Sequence, residues 1–139
     1  MRVIASGPEP QIAVEPASRR PGMAPGEWLF GWEVTNLGSE PLEIQGAWLP
    51  HGRFRGDRHE LGPAPALAAG RSARVQFAVR CAEPPGTVVE NAFLILNVGW
   101  RAEPWRIFVR LRIMFDEDGV PDNTVEAITL QQVGFSQAG

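Results

Sequence analysis

The sequence predicts an all-β domain, an antiparallel β-sandwich of about seven or eight strands, on three observations. Apolar residues recur at every second position in several stretches, which is the period of a strand with one buried face. The 139 residues include 15 glycines and 13 prolines, and these cluster between the alternating stretches as turn residues do. No window has a helical period with capping residues at its ends.

Length and composition fit one domain over residues 1–139, with a Pro-rich edge segment at 1–27 and the main sandwich at 28–135. Hydrophobic residues make up 44% of the chain, which is too many for a disordered protein. The chain has no apolar run of the length of a secretory signal or a membrane span. Cys81 is the only cysteine. We therefore expect a cytoplasmic protein with no internal disulfide and no membrane association.

The first strands are predicted from the N-terminal segment and from the alternation that follows it. Five prolines limit residues 1–27 to short edge strands, around Arg2–Ala5 and Gln11–Glu15. Apolar residues then occupy alternate positions, at Trp28, Phe30, Trp32 and Val34. A second alternating run covers residues 42–48. The turn composition of residues 36–39 between these two runs predicts a β-hairpin.

The middle of the chain has less pattern. Residues 50–70 predict a connection with at most one short strand, near Arg53–Phe54. Alternation resumes at Val75 and predicts a strand in which Cys81 points inward as a small core residue.

Three strands are predicted in the last third of the chain. Residues 88–100 are apolar at both parities in their middle, as in a central strand, with a bulge or bend at Asn97 or Gly99. Residues 105–115 have the clearest alternation in the protein. An acidic turn then leads to a last strand at about 124–133.

Two segments resemble bacterial immunoglobulin-like and fibronectin-III-like domains. Residues 34–44 end a strand in Val-x-Asn-x-Gly, and residues 67–79 place a Leu-x-x-Gly corner before an alternating strand. The resemblance implies an immunoglobulin-like sandwich in which Asn36 and Gly38 supply a turn with positive φ. It also implies that Leu67 plugs the end of the sandwich, while Gly70 lets the chain turn the corner. Because such sandwiches include interaction modules, proteinase inhibitors and carbohydrate-binding modules, the resemblance implies no particular function.

Catalytic and metal sites have little support in the sequence. His51 and His59 are the only histidines, and a transition-metal site needs three or four convergent ligands. The acidic residues 116–122 do not have the spacing of an EF-hand calcium loop. Cys81 has inward parity, and no serine lies in a nucleophile-elbow motif. We therefore expect no catalytic residue, no bound metal and no cofactor.

The outer face of the strand at residues 105–115 is the main candidate for function. Its outward positions include Arg106, Phe108, Arg110 and Arg112. Arginine binds carboxylates and phosphates with two hydrogen bonds and stacks on aromatic rings. Three more arginines lie between residues 50 and 60, at Arg53, Arg55 and Arg58. Together they predict a basic surface for an anionic partner. The alternative is a solvated face paired with acids such as Glu90 or Glu126.

The five tryptophans divide into two groups. Four lie on apolar parities and are predicted to be core residues: Trp28, Trp32, Trp48 and Trp105. Trp100 lies at a predicted strand end beside Arg101, and it is predicted to pack in the core or at its rim. The alternative is an exposed ring that stacks on a sugar or a base.

These observations predict a non-catalytic binding or interaction module, most simply a protein–protein one. The alternative is a binder of an anionic or carbohydrate ligand through the arginine and aromatic face. An enzyme whose site is not visible in the sequence is the third possibility. The partner would be another protein or a second copy of this chain, which would cover Phe108 and Met114. The formal net charge of -3 argues against nucleic acid.

Overall fold

The computed structural model describes residues 8–133, which form nine strands and no helix. The strands are β1 (Ile12–Pro21), β2 (Glu27–Asn36), β3 (Leu42–His51), β4 (Phe54–Glu60), β5 (Ala66–Leu67), β6 (Ser72–Arg80), β7 (Val88–Trp100), β8 (Glu103–Phe115) and β9 (Pro121–Gln132). The all-β class is therefore confirmed. The edge strand predicted at Arg2–Ala5 lies outside the described residues.

The strands form one antiparallel sheet that nearly closes into a barrel. The hydrogen-bonded order is β1-β2-β6-β4-β3-β7-β8-β9, and β5 pairs with β3. The register between β4 and β6 pairs Arg55 with Arg80. Side chains hold β1 and β9 together at the other junction, where Arg19 Nη1 donates to the Pro121 carbonyl oxygen at 3.2 Å and lies 3.2 Å from Asp122 Oδ2. This pairing does not confirm a two-sheet immunoglobulin-like sandwich.

The predicted hairpin between the second and third strands is wrong. Strand β2 pairs with β1 and β6, whereas β3 pairs with β4, β5 and β7. The connection between β2 and β3 is held by the Asn36 amide, which donates to the carbonyl oxygens of Glu40 and Leu67 at 2.8 and 2.9 Å. The positive φ predicted at Gly38 is also wrong, whereas Gly70, where the chain was expected to turn a corner, has a φ of 78°.

The segment at residues 50–70 contains two strands rather than one at most. Most of strand β4 has no alternating apolar pattern in the sequence. Its outward residues are charged, and one of its inward residues is Gly56, which has no side chain to continue the pattern. The Phe77 ring lies directly over Gly56, where it would clash with any Cβ atom. Leu67 in β5 is buried at 4% exposure, in agreement with its predicted role as a plug.

Strand lengths differ from the predictions where bulges occur. Strand β1 continues to Pro21 because the register shifts between Pro16 and Ser18, which accommodates a proline inside an edge strand. The bulge of β7 lies between Val89 and Ala92, not at Asn97 or Gly99.

The core lies inside the curved sheet. Trp32 is fully buried there, with its ring centroid 5.8 Å from that of Phe30, and its Nε1 donates to Asn123 Oδ1 on β9 at 2.9 Å. The alternation predicted for β8 is confirmed, because its inward side chains are all buried: Trp105, Ile107, Val109, Leu111, Ile113 and Phe115. Cys81 also points inward as predicted.

Candidate functional site

Apolar side chains form a row on the outside of the sheet. The register places Trp48 on β3 opposite Ile95 on β7, Ile95 opposite Phe108 on β8, and Phe108 opposite Thr129 on β9. Phe93 extends the row, with its ring edge-on to that of Phe108 at 6.4 Å between centroids. Ile95 is only 7% exposed although it points outward, because its neighbours cover it. An apolar cluster outside the core is a feature of binding surfaces.

Trp48 was predicted to be a core residue, and that prediction is wrong. The register of β3 against β7 pairs Ile44 with Val98 and then Gly46 with Asn97, so the bulge adds one residue to β3. An extra residue reverses which side chains point inward. Ala47 therefore points into the core, and the Trp48 ring lies half-buried on the outer face.

Arginines flank this apolar row. The Arg58 and Arg106 guanidinium carbons lie 4.8 and 5.6 Å from the Trp48 ring centroid, which is the range of cation–π contacts. Arg110 is exposed and lies opposite Phe93. Within residues 8–133, no carboxylate forms an ion pair with Arg106 or Arg110. We call this surface the Arg–aromatic face; it comprises Trp48, Phe93, Ile95, Phe108, Arg58, Arg106 and Arg110.

Four of the six arginines in the predicted basic surface are ion-paired: Arg53, Arg55, Arg58 and Arg112. Arg112 Nε lies 3.3 Å from Glu90 Oε1, the cross-strand pairing expected of a solvated face. Arg55 Nε lies 3.6 Å from Asp57 Oδ1. Exposed pairs of this kind contribute little to stability, but they lower the net charge offered to a partner.

Arg53 lies away from the Arg–aromatic face. Its Nη2 donates to Glu83 Oε1 at 2.7 Å, beyond the end of β6. This hydrogen bond, and then the charge of Glu83, raise the pKa of Arg53 above its ordinary value. Of the three arginines between residues 50 and 60, only Arg58 contacts the Trp48 ring.

Trp100 is packed, as the sequence favoured, and not exposed as the alternative of sugar or base stacking requires. Its side chain is 4% exposed, and Arg101 lies over the ring at 4.4 Å from the centroid. Arg101 and Ala102 form the two-residue turn between β7 and β8, with φ of 52° and 59°. Next to this turn, the buried Trp100 ring packs edge-on against the Trp105 ring.

No family model, curated protein or solved structure matches this chain. Residues 8–133 also include no helix with the length and apolar character that a bilayer crossing requires.

The two histidines lie at opposite ends of the β3–β4 hairpin. His51 pairs with Phe54 beside the turn, and its Nδ1 accepts a hydrogen bond from the Arg53 amide at 3.0 Å. The His59 ring stacks on Phe77, with 6.3 Å between the ring centroids. The histidines therefore do not converge on one site. Across the described part of the chain, no three His, Cys, Asp or Glu side chains are grouped as metal ligands.

We expect Cys81 to be unreactive in the folded protein. Burial raises the pKa of its thiol to about 12, and the charge of Glu83 adds to the effect. Because an unfolded cysteine has a pKa of about 8.5, the thiolate fraction at pH 8 falls more than a thousandfold on folding, to order of magnitude. Alkylation by iodoacetamide at pH 8 should slow by a similar factor relative to protein in urea. Similar rates in the two conditions would contradict this prediction.

Proposed function

We propose that this domain is a non-catalytic binding module whose Arg–aromatic face binds an acidic segment of another protein. The observation that carries the proposal is the row of Trp48, Ile95 and Phe108 on the outer face, flanked by Arg58, Arg106 and Arg110. Tryptophan and arginine are the residues that contribute most binding energy in protein interfaces. The apolar row would supply affinity, and the cations would orient the partner.

The partner's acidic character follows from charge complementarity. Arg106 and Arg110 carry positive charge beside apolar side chains, without a carboxylate partner among the described residues. An opposing Asp or Glu would replace water around these guanidinium groups with charge-assisted hydrogen bonds.

A second copy of this chain is a poorer occupant of the same face. A two-fold interface would place two identical Arg–aromatic faces against each other. That interface would bring six arginines together, three from each copy, and positive charges that lose water together cost free energy.

An anionic ligand remains a second candidate, since two guanidinium groups contact the Trp48 ring. A carbohydrate ligand has less support, because the Trp100 ring, whose exposure would have favoured sugar stacking, is buried.

A random-peptide library displayed on phage and selected on the immobilised domain tests the proposal. We expect enrichment of peptides that carry Asp or Glu next to an aromatic or large aliphatic residue. A synthetic copy of an enriched peptide should bind the Arg106→Ser/Arg110→Ser variant at least about tenfold more weakly than the unmodified domain. Its binding should also depend less on salt concentration.

The matched control is the Arg71→Ser/Arg74→Ser variant, which changes the formal charge equally. Arg74 lies on β6, in the other part of the sheet, and both residues are exposed. Peptide affinity should change by less than about twofold in this control. Equal weakening in both variants, or no enrichment of acidic peptides, would contradict the proposal. A doubled mass in light scattering that Arg106→Ser/Arg110→Ser abolishes would instead assign the face to self-association.

A further inference from the structure

A notch interrupts the Arg–aromatic face beside Trp48. The register aligns Glu60 on β4, Gly46 on β3, Asn97 on β7 and Arg106 on β8 in one row across the sheet. Gly46 has no side chain, and the Glu60 carboxylate reaches over it, with Oε2 2.5 Å from the point where a Cβ atom would lie. A cavity of about 220 Å³ lies at this position, lined by Arg58, Glu60, Asn97 and Arg106 among others.

Two hydrogen-bond donors at the notch have no acceptor. Asn97 Nδ2 and Arg106 Nε are both buried, and neither makes a hydrogen bond within the described part of the protein. Buried polar atoms are nearly always hydrogen-bonded, because leaving one unpaired is costly. Asn97 and Arg106 are direct cross-strand neighbours, and both line the cavity.

The charges around the notch favour a singly charged acceptor. Arg58 and Arg106 both line the cavity, and their guanidinium groups lie against the Trp48 ring. Glu60 also lines the cavity, on the same strand as Arg58, with its Oε1 3.6 Å from Arg58 Nε. Its negative charge partly offsets the cations and would repel a doubly charged phosphate more than a carboxylate.

We propose that this notch binds a carboxylate group, with Asn97 Nδ2 and the Arg106 guanidinium donating to its oxygens. Arg58 supplies the second positive charge, and the Trp48 ring holds both arginines in place. This inference rests on the proposed function, since it assigns to the notch the Asp, Glu or terminal carboxylate of the bound segment. Because both donor atoms are buried, we infer that a bound carboxylate displaces the Glu60 side chain, which also lines the cavity.

Titration of the ¹⁵N-labelled domain with sodium acetate, at constant ionic strength kept with sodium chloride, tests the notch without any partner protein. We expect saturable shifts of the Asn97 side-chain amide and the Arg106 Nε–H signals. The Asn36 side-chain amide, which is buried and fully hydrogen-bonded, should not shift and serves as an internal control. Shifts that stay linear with concentration, or that appear equally at Asn36, would overturn the inference.

Inorganic phosphate in the same titration separates the two kinds of anion. Acetate should bind at least as tightly as phosphate. Phosphate binding about tenfold tighter than acetate would overturn the assignment to a carboxylate.

Two substitutions change the notch without touching the core. Gly46→Ala places a methyl group 2.5 Å from Glu60 Oε2 and 3.2 Å from the His59 carbonyl oxygen, so the flexible Glu60 side chain must shift and the cavity becomes smaller. We expect at least about tenfold weaker acetate binding in this variant with an unchanged fold. Glu60→Gln removes the repelling charge and should strengthen acetate binding. Weaker binding in Glu60→Gln, or unchanged binding in folded Gly46→Ala, would overturn the inference.

The tests of the notch and of the whole face have separate outcomes. If acetate fails to bind but the Arg106→Ser/Arg110→Ser variant still loses acidic peptides, the face binds its partner without a carboxylate in the notch. If acetate binds at the notch but the library yields no acidic peptides, the notch is a small-carboxylate site and the proposed protein partner is wrong.

Discussion

Replacing Trp32 by alanine is expected to lower the free energy of unfolding by about 4 kcal/mol, the largest loss we predict for a single residue. The Trp32 side chain is fully buried and lies between the rings of Phe30 and Phe77. Alanine would leave a cavity that this rigid interior cannot fill, and would leave Asn123 Oδ1 without its donor. Urea unfolding followed by far-ultraviolet circular dichroism measures the loss. Because the free energy of unfolding of such domains is about 5–15 kcal/mol, this loss would be a large fraction of it.

The hydrogen bond of Trp32 can be separated from its packing. Trp32→Phe retains an aromatic ring but removes the indole N–H, and we expect a loss of roughly 1–3 kcal/mol because Asn123 stays buried and unpaired. The double variant Trp32→Phe/Asn123→Leu removes both polar groups. Its loss of unfolding free energy should be smaller than the sum of the losses in the two single variants.

Trp28 provides the matched control for the alanine variant. It lies on the same strand but is only half-buried, so Trp28→Ala should cost less than half as much as Trp32→Ala. Equal losses at the two positions would contradict the packed interior described above.

The inward or outward direction of a side chain is predicted well from the sequence wherever the strand has no bulge. In β8 the alternation of apolar and polar residues runs unbroken through its inward positions, and the structure buries each of them. The inward thiol of Cys81 follows from the same rule. Side-chain direction in an unbroken strand depends only on whether the position is odd or even, so no distant information is needed.

Trp48 shows where that rule stops. One extra residue near Gln45 shifts the parity of the rest of β3, and the tryptophan changes from the inner face to the outer face. The adjacent small residues Gly46 and Ala47 within an apolar run were the available signal, since glycine inside a strand often marks a bulge. The Arg–aromatic face was therefore recognised on β8 and missed on β3.

Strand pairing could not be derived from the sequence either. Short connections usually join neighbouring strands, and this made β2 and β3 the expected hairpin. The contact between Arg58 and Trp48, and between Trp48 and Arg106, depends on the register of β3 with both β4 and β7. Those registers are set by long-range packing, which has no signature in either segment alone.

The Asn36 side chain holds the connection between β2 and β3. We expect Asn36→Ala to lower the free energy of unfolding by about 3 kcal/mol. Its amide nitrogen donates to the carbonyl oxygens of Glu40 and Leu67, and its Oδ1 accepts from the Gly38 amide at 2.9 Å. The side chain is 1% exposed, so water cannot replace these bonds without opening the structure. Urea unfolding measures the loss.

Asn36→Asp separates hydrogen bonding from size, because the two side chains have nearly the same shape. At neutral pH the carboxylate would face two carbonyl oxygens, so its pKa in the folded variant rises above the value in the unfolded chain. The variant's stability should therefore fall as pH rises through the ordinary range of an aspartate and recover as pH is lowered, when a protonated carboxyl donates again. The control is Ser72→Ala, which removes the exposed bond between Ser72 Oγ and Thr35 Oγ1 and should cost less than about 0.5 kcal/mol. A loss of the same size in Ser72→Ala and Asn36→Ala, or a pH-independent Asn36→Asp, would show that the Asn36 bonds do not hold this connection.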